Sequence, residues 1–390
     1  MLRAAPFKGV RFDPSQDLGR ALCPPYDVIA PPLARELRAF PENAVHVELP
    51  AGTAGARYRN AAAAWKRWRR QGLLVQDGEP SYYVSEQRTV AEGRDLRRLG
   101  LYAELGVDDE SMAGVLAHER TLAKPKEDRL RLLETLRVNT SPVFAIFPDE
   151  DGGVRAALFA AQRRQPLWAG RDLQGSEHRL WRVQGTLARG LERLLREKTL
   201  LIADGHHRCA VAREHFKAEG APESAGTLAY LCPEEDPGLL VLPTHRVLEP
   251  TEALRANLGR ARLRETADLQ ALCSALDAEP SPYAFGLFDG RFRLGVPLEG
   301  DPGVPSAFGT QWLSERILEG ADPQKIVYVH DAAWAVEAAL RRRSWAFLLK
   351  RFAVADIRRA VQRAGLLPQK STYFIPKAPA GLVFRALDPL

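Results

Sequence analysis

The 390 residues, 45% of them hydrophobic, exceed the usual span of one core and predict a folded chain of two or three subdomains. The net charge of +6 is spread along the sequence, which argues against a basic tract and leaves nucleic acid outside the expected partners. No apolar run approaches the roughly 20 residues of a membrane span, residues 1–6 lack a signal-peptide core, and the four cysteines, Cys23, Cys209, Cys232 and Cys273, form no Cys-x-x-Cys pair; no membrane partner and a reducing, cytoplasmic location are expected.

The first segment, residues 1–110, opens with short extended pieces punctuated by proline. In Cys23-Pro24-Pro25-Tyr26-Asp27-Val28-Ile29 two prolines forbid helix and hold Tyr26 and Asp27 in an extended or turn geometry, as a rigid surface crossing or as part of a site. Residues 43–50 alternate apolar and polar as a half-buried strand does, which makes His46 a strand residue rather than a ligand. A helix is predicted over 57–72 and closes at Gly72; its Lys66-Arg67-Trp68-Arg69-Arg70 cluster surrounds the helix axis as a solvated face. Residues 81–87 and 97–104 read as paired strands joined by a turn at Glu92-Gly93-Arg94.

The second segment, residues 111–250, contains Leu116-Ala117-His118-Glu119-Arg120-Thr121 and then a helix over about 127–137. A zinc-protease motif needs a second histidine where Leu122 stands, and the plain reading of Glu119 is an ion pair with Arg120 or Arg129. A strand over 141–147 leads into a polar turn at 149–153. The region near 150–196 has no diagnostic pattern and reads as an insertion, with His178 structural. From residue 200 a short apolar run stops at Asp204-Gly205 and helical spacing resumes: strand, tight turn, helix. As plain structure, Asp204 would cap that helix. Two histidines and an arginine exceed what a cap needs, and a helix start with Gly205, His206, His207 and Arg208 suits an anion. Strands are predicted over 226–231 and 239–247, the latter ending in a second His-Arg pair, His245-Arg246, that would return to the same pocket.

The third segment, residues 251–390, is helical at both ends around a strand pair near 285–294. A further strand over 327–331 ends at His330 and Asp331, read as a capped strand end. The tail over 367–377 clusters Lys370, Ser371 and Thr372, donors suited to phosphate, and reads as folded back on the core.

The strand-DGHHR-helix arrangement of Asp204-Gly205-His206-His207-Arg208 resembles the signature of the ParB-like superfamily, which includes sulfiredoxin, the nucleotide-binding part of chromosome-partition proteins, and free serine kinases. More closely, Pro6-Phe7, Pro24-Pro25-Tyr26-Asp27-Val28-Ile29, His118-Glu119-Arg120-Thr121 and Lys370-Ser371-Thr372-Tyr373-Phe374 resemble, over essentially the full length, the bacterial and archaeal family catalogued as domain of unknown function 1015. The resemblance implies a mixed α/β (α+β) fold: a ParB/sulfiredoxin-like nucleotide-binding core elaborated by N- and C-terminal subdomains. It implies a bound nucleotide, ADP or ATP with CTP as a further candidate, and Mg²⁺ held by Asp204. Phosphates would lie at Gly205, His206, His207 and Arg208, joined by Lys370, Ser371 and Thr372. Glu119, Asp204 and His207 would be catalytic, and Tyr26, Asp27, His118, Arg129, His245 and Arg246 would face a small-molecule substrate. The family commonly has Tyr-Glu after the HHR where this chain has Cys209 and Ala210, so a role carried by that pair does not transfer.

The expected function is a nucleotide-dependent phosphotransferase acting on a small hydroxyl compound, serine-like by resemblance, with Glu119 as base. No GxxxxGK[ST] loop is present, so a Walker-type site is not the route. With water in place of the hydroxyl, the same site would be a phosphatase or nucleotide hydrolase. A non-catalytic nucleotide-binding regulatory module is the alternative from another class. A histidine-metal hydrolase is disfavoured because adjacent helix residues point about 100° apart. Homo-oligomerisation is left open.

Overall fold

The computed structural model describes residues 1–119, 123–298, 304, 308–368 and 370–388. Arg120 and Thr121, of the His118-Glu119-Arg120-Thr121 stretch, lie outside the described residues, as does Gln369. The fold is mixed α/β, 38% helix and 28% strand. Among the described residues no helix is long and apolar enough to cross a membrane. The chain forms two compact units, residues 1–116, 121–240 and 376–390 in the first and residues 117–120 and 241–375 in the second.

The first unit is built on one mixed sheet. Its main strands are β1 (Tyr82–Ala91), β2 (Arg94–Gly106), β3 (Val115–Leu116), β4 (Val143–Phe147), β5 (Trp168–Arg171), β6 (Glu177–Val183), β7 (Leu200–Asp204) and β8 (Gly226–Pro233), in the spatial order β3-β7-β4-β8-β2-β1-β6-β5, and a short ninth strand, Ala4–Ala5, pairs with β2 outside this order. The β1–β2 hairpin turns at Glu92 and Gly93, both at positive φ (53° and 67°), as the twist of a tight hairpin requires. Strand β8 runs parallel to β4 and antiparallel to β2, while β7 runs antiparallel to β4 with a register shift between Ile202 and Asp204.

The longer helices of this unit are α1 (Ala54–Arg70), α2 (Ala123–Leu136), α3 (Gly153–Gln162), α4 (Gly185–Arg196) and α5 (His206–Glu219). Helix α4 places Leu187, Leu191, Leu194 and Leu195 on one stripe, and it packs with Leu158 and Ala161 of α3 against Leu101, Ala145, Ile202 and Ala229 of the sheet. Pleating sends the intervening residues to the opposite face, where Tyr102, Phe144 and Tyr230 make edge-to-face ring contacts. A second core gathers Phe12, Leu37, Trp65, Trp68, Leu132 and Phe384 around α1.

Two local expectations are corrected. Residues 43–50 are not a half-buried strand: they include a single helical turn, Val45–Glu48. The buried Asn43 side chain accepts the Val45 N–H at 2.9 Å and donates to the carbonyls of Arg20 and Leu22, which closes the chain into a turn. Val45, Val47 and Glu48 are all buried, so the alternation marks no solvent face. His46 is hydrogen-bonded, its Nε2 3.0 Å from the Phe40 carbonyl. The strand expected over 239–247 breaks at Pro243, which lacks an N–H, into Leu240–Leu242 and a separate strand.

That separate strand, β9 (His245–Leu248), belongs to the second unit with β10 (Ala261–Thr266), β11 (Phe285–Phe288), β12 (Phe292–Pro297), β13 (Val327–Val329) and β14 (Trp345–Leu349). They form an antiparallel sheet in the order β10-β12-β11-β14-β9-β13. Helices α6 (Leu269–Ala278) and α7 (Ala332–Arg342) cover one face through Leu272, Leu276, Ala335 and Ala339. Asp331 caps α7 by accepting the Trp334 N–H at 2.7 Å, as its place at a capped strand end implied.

Candidate functional site

In the first unit the site is made where β7 hands over to α5. Four apolar residues of β7 are buried, and its ladder with β4 shifts register between Ile202 and Asp204, the irregularity expected where a strand ends at a site. Gly205 follows at φ 86° and ψ 29°, a left-handed conformation that turns the chain sharply into α5. No side chain caps the helix start. Arg208, one turn in, returns its guanidinium to Asp204, Nη2 to Oδ2 at 2.5 Å, and also donates to the Pro142 carbonyl. The other Asp204 oxygen, Oδ1, accepts from Lys377 Nζ at 2.5 Å. The three side chains are only 11–12% exposed. Burial pushes the Asp204 carboxyl up, but Lys377 and Arg208 outweigh it and hold the group at about 2. Among the described residues, Arg208 Nε has no hydrogen-bond partner.

Two carboxylates besides Asp204 face Arg208. Glu48, 1% exposed, accepts from the hydroxyls of Thr140 (2.6 Å) and Ser141 (2.8 Å) and from the Tyr26 N–H (3.1 Å). It thereby ties the proline-rich turn Tyr26–Val28 to the start of β4. Arg129 of α2 donates to the Glu48 carbonyl at 2.7 Å and stacks over the Tyr26 ring at 4.3 Å. Asp27, next in the turn, is solvent-accessible. Loss of part of its hydration, then the nearby Asp204, raises its carboxyl above the ordinary value against the pull of Arg208 and Lys377. Burial pushes the Tyr26 hydroxyl up to about 12. Burial, Arg208 and Lys126 lower His207, favouring its neutral imidazole. Arg208, Glu48, Arg129, Thr140 and Ser141 also line a small open cleft of about 40 Å³.

The backbone that carries Lys377 is held by a second buried arginine. Arg98, 1% exposed, stacks its guanidinium over Phe144 and Tyr230 at 4.8 and 4.7 Å. It donates to the Pro376 carbonyl, to Gln87 Oε1 at 2.7 Å and to the Lys377 carbonyl at 3.4 Å.

The family described as "Protein of unknown function (DUF1015)" matches residues 4–348. The chain belongs to that family. No curated protein matches it. Among solved structures, a conserved hypothetical protein from Pyrococcus furiosus is similar at 16% identity, with 72% of this chain and 93% of that chain covered and a TM-score of 0.40. A free serine kinase in complex with AMP is similar at 15% identity, with 73% and 91% covered and a TM-score of 0.39. A free serine kinase variant in complex with ADP is similar at 14% identity over the same shares, with a TM-score of 0.42. Likeness at this level carries no residue's role across.

Of the residues singled out in this DUF1015 member by sequence, Tyr26, Asp27, Arg129, Asp204, Gly205, His206, His207 and Arg208 all lie in the first unit, with Tyr26, Asp27, Arg129 and Asp204 grouped around Arg208. The second unit holds the others in its own cluster. There His118 Nε2 lies 2.9 Å from Thr372 Oγ1, the Ser371 N–H donates to Glu119 Oε1 at 3.3 Å, and the Ser371 hydroxyl donates to the Pro368 carbonyl. Buried Arg246 bonds the Thr244 and Lys370 carbonyls, and Lys370 Nζ lies 4.8 Å from the Tyr328 ring. His245 Nδ1 accepts the Leu349 N–H at 3.1 Å, and burial lowers that imidazole to about 3. Arg129 pairs with Asp128 rather than Glu119. His178 is structural, its Nε2 2.8 Å from Asp172 Oδ2.

Sequence reasoning missed Glu48, Lys377 and Arg98. Glu48 stood in a stretch that resembled a strand. Lys377 was one more lysine in a donor-rich tail, although Pro376 before it marked a restrained backbone. Arg98 carries no local signal.

Proposed function

We propose that this chain is a nucleotide-dependent phosphotransferase acting on a small hydroxyl compound, with nucleotide phosphates held at the β7–α5 turn. One observation carries the reading: two largely buried cations, Arg208 and Lys377, converge on a single carboxylate at a helix start with no side-chain cap. A phosphoryl oxygen offers those donors the same acceptor that Asp204 does, and the first N–H groups of a helix add to the grip. The cluster also contains Glu48 and Asp27, so an anion would bind by taking over donors already in position rather than by entering a strongly positive field.

Phosphoryl transfer asks of a protein mainly charge stabilisation and in-line positioning. Arg208 and Lys377 supply the first. The turn of Tyr26 and Asp27, fixed through Glu48 and Arg129, supplies polar groups beside the phosphates for an acceptor. Magnesium does not fit Asp204 as arranged, because both its oxygens are engaged by cations. Among the described residues no group of three His, Cys, Asp or Glu side chains could hold an ion, and no step is routed through one. Glu119 as base and free serine as acceptor are implied by the family resemblance alone.

Calorimetric titration of the full chain with ATP, ADP and CTP tests the reading. Arg208→Ala should weaken nucleotide binding at least about tenfold, since a charge-assisted contact is worth about 1.5–3 kcal/mol. If no nucleotide binds, or Arg208→Ala binds as tightly as the parent with its fold intact, phosphates are not held at this turn. Binding without consumption of ATP would instead favour a regulatory module.

A further inference from the structure

Three carboxylates face Arg208, and hydrogen bonding separates them. Asp204 has both oxygens committed to cations, Oδ1 to Lys377 and Oδ2 to Arg208. Glu48 has both oxygens committed to donors, Oε1 to Ser141 and the Tyr26 N–H, Oε2 to Thr140. It is also 1% exposed, which denies it to a diffusing substrate. Asp27 differs on both counts. It is solvent-accessible, and among the described residues no other residue donates a hydrogen bond to its carboxylate.

Its backbone is nonetheless firmly placed. Two prolines precede it, the Tyr26 N–H is bonded to Glu48, the Tyr26 ring is stacked on Arg129, and the Ile29 N–H returns to the Tyr26 carbonyl. An accessible, uncommitted carboxylate on a pinned turn beside two anion-gripping cations is what proton abstraction needs, because a base must keep a lone pair free and in register with the reacting group.

We propose that Asp27 is the general base of the phosphoryl transfer and takes the proton of the acceptor hydroxyl. In that step the acceptor oxygen forms a bond to the terminal phosphorus of the nucleotide as its proton passes to an Asp27 oxygen. The bond from that phosphorus to the bridging oxygen breaks, and the electron pair leaves with the nucleoside diphosphate. Asp27 returns the proton to solvent. The assignment rests on the phosphotransferase reading and places the base in the same unit as the phosphate grip. The charged groups facing Asp27 are Asp204, Arg208 and Lys377; lost hydration and the Asp204 charge raise its affinity for a proton more than the two cations lower it, the direction a base requires.

The test pairs Asp27→Asn with Glu119→Gln in the full chain, measuring ATP affinity by calorimetry and ADP release in single turnovers with L-serine or with water alone as acceptor. Asp27→Asn should lower turnover at least about 100-fold, the usual contribution of a positioned base. The same substitution should leave ATP affinity unchanged or raise it, because a negative charge leaves the neighbourhood of the phosphates. A merely structural role would weaken both together, and that outcome overturns the assignment. Turnover within threefold of the parent also overturns it, as does a loss confined to Glu119→Gln. A parent chain that neither binds nor consumes ATP would sink the phosphotransferase reading itself, a result distinct from any of these.

Discussion

Replacing Arg98 by lysine should weaken nucleotide binding although Arg98 is not among the groups facing Asp204 or Arg208. The guanidinium lies over the rings of Phe144 and Tyr230 and bonds the carbonyls of Pro376 and Lys377 together with Gln87 Oε1. Lysine keeps the charge but has neither a planar face for the two rings nor a fork that reaches successive carbonyls. Losing one charge-assisted bond costs about 1.5–3 kcal/mol, and losing the ring stacking about 1 kcal/mol. Roughly 2.5–4 kcal/mol should therefore disappear from a group that is 1% exposed and cannot turn to water. The bonds lost are those that fix the Lys377 backbone, so its ammonium should no longer stay on Asp204, and ATP affinity should fall at least about tenfold. Urea unfolding at unchanged slope reads the first effect and calorimetry the second. Lys377→Ala in the Arg98→Lys background should add little further loss of affinity, since both act through one ammonium. Wild-type affinity in Arg98→Lys, or full additivity in the double variant, would show that Arg98 does not position Lys377.

At the turn itself, Gly205→Ala should destabilise the chain by about 1–2 kcal/mol, because a residue with a Cβ must adopt φ 86°. The new Cβ would also stand 2.9 Å from Arg208 Nε, so nucleotide affinity should fall with the urea midpoint; an unchanged midpoint would contradict the conformational argument. Asp204 predicts an acid limb of stability. Its folded carboxyl lies at about 2 against an ordinary 3.8, so its contribution is fully present above pH 3.8 and is lost as pH falls towards 2. Comparing urea midpoints at about pH 5 and about pH 3 should show a shallower acid loss in Lys377→Ala than in the parent, and equal slopes would deny the ion pair its role.

The elements most legible in the sequence are those whose cause is local. An apolar run stopping at Asp204-Gly205, with helical spacing resuming at once, can close only as strand, turn and helix, because Gly205 tolerates the left-handed backbone that the reversal needs. The β1–β2 hairpin was legible for the same reason at Glu92 and Gly93. Residues 43–50 misled because apolar alternation identifies a strand only when one face meets water. There both faces are buried and the Asn43 side chain bends the backbone.

The chemistry-bearing residues divide along the same line. By itself the sequence determined the family, the β7–α5 turn and the cluster of polar residues that begins α5 with His206, His207 and Arg208. Only the tertiary structure decided which carboxylates are spent and which is free. It brought Lys377 across 173 residues of chain to Asp204, Glu48 across 93 to Ser141, and Arg98 beneath the backbone that carries Lys377. Partners so remote leave no trace in spacing or periodicity, because their meeting depends on the order of strands in a sheet and not on any property of the residues between them.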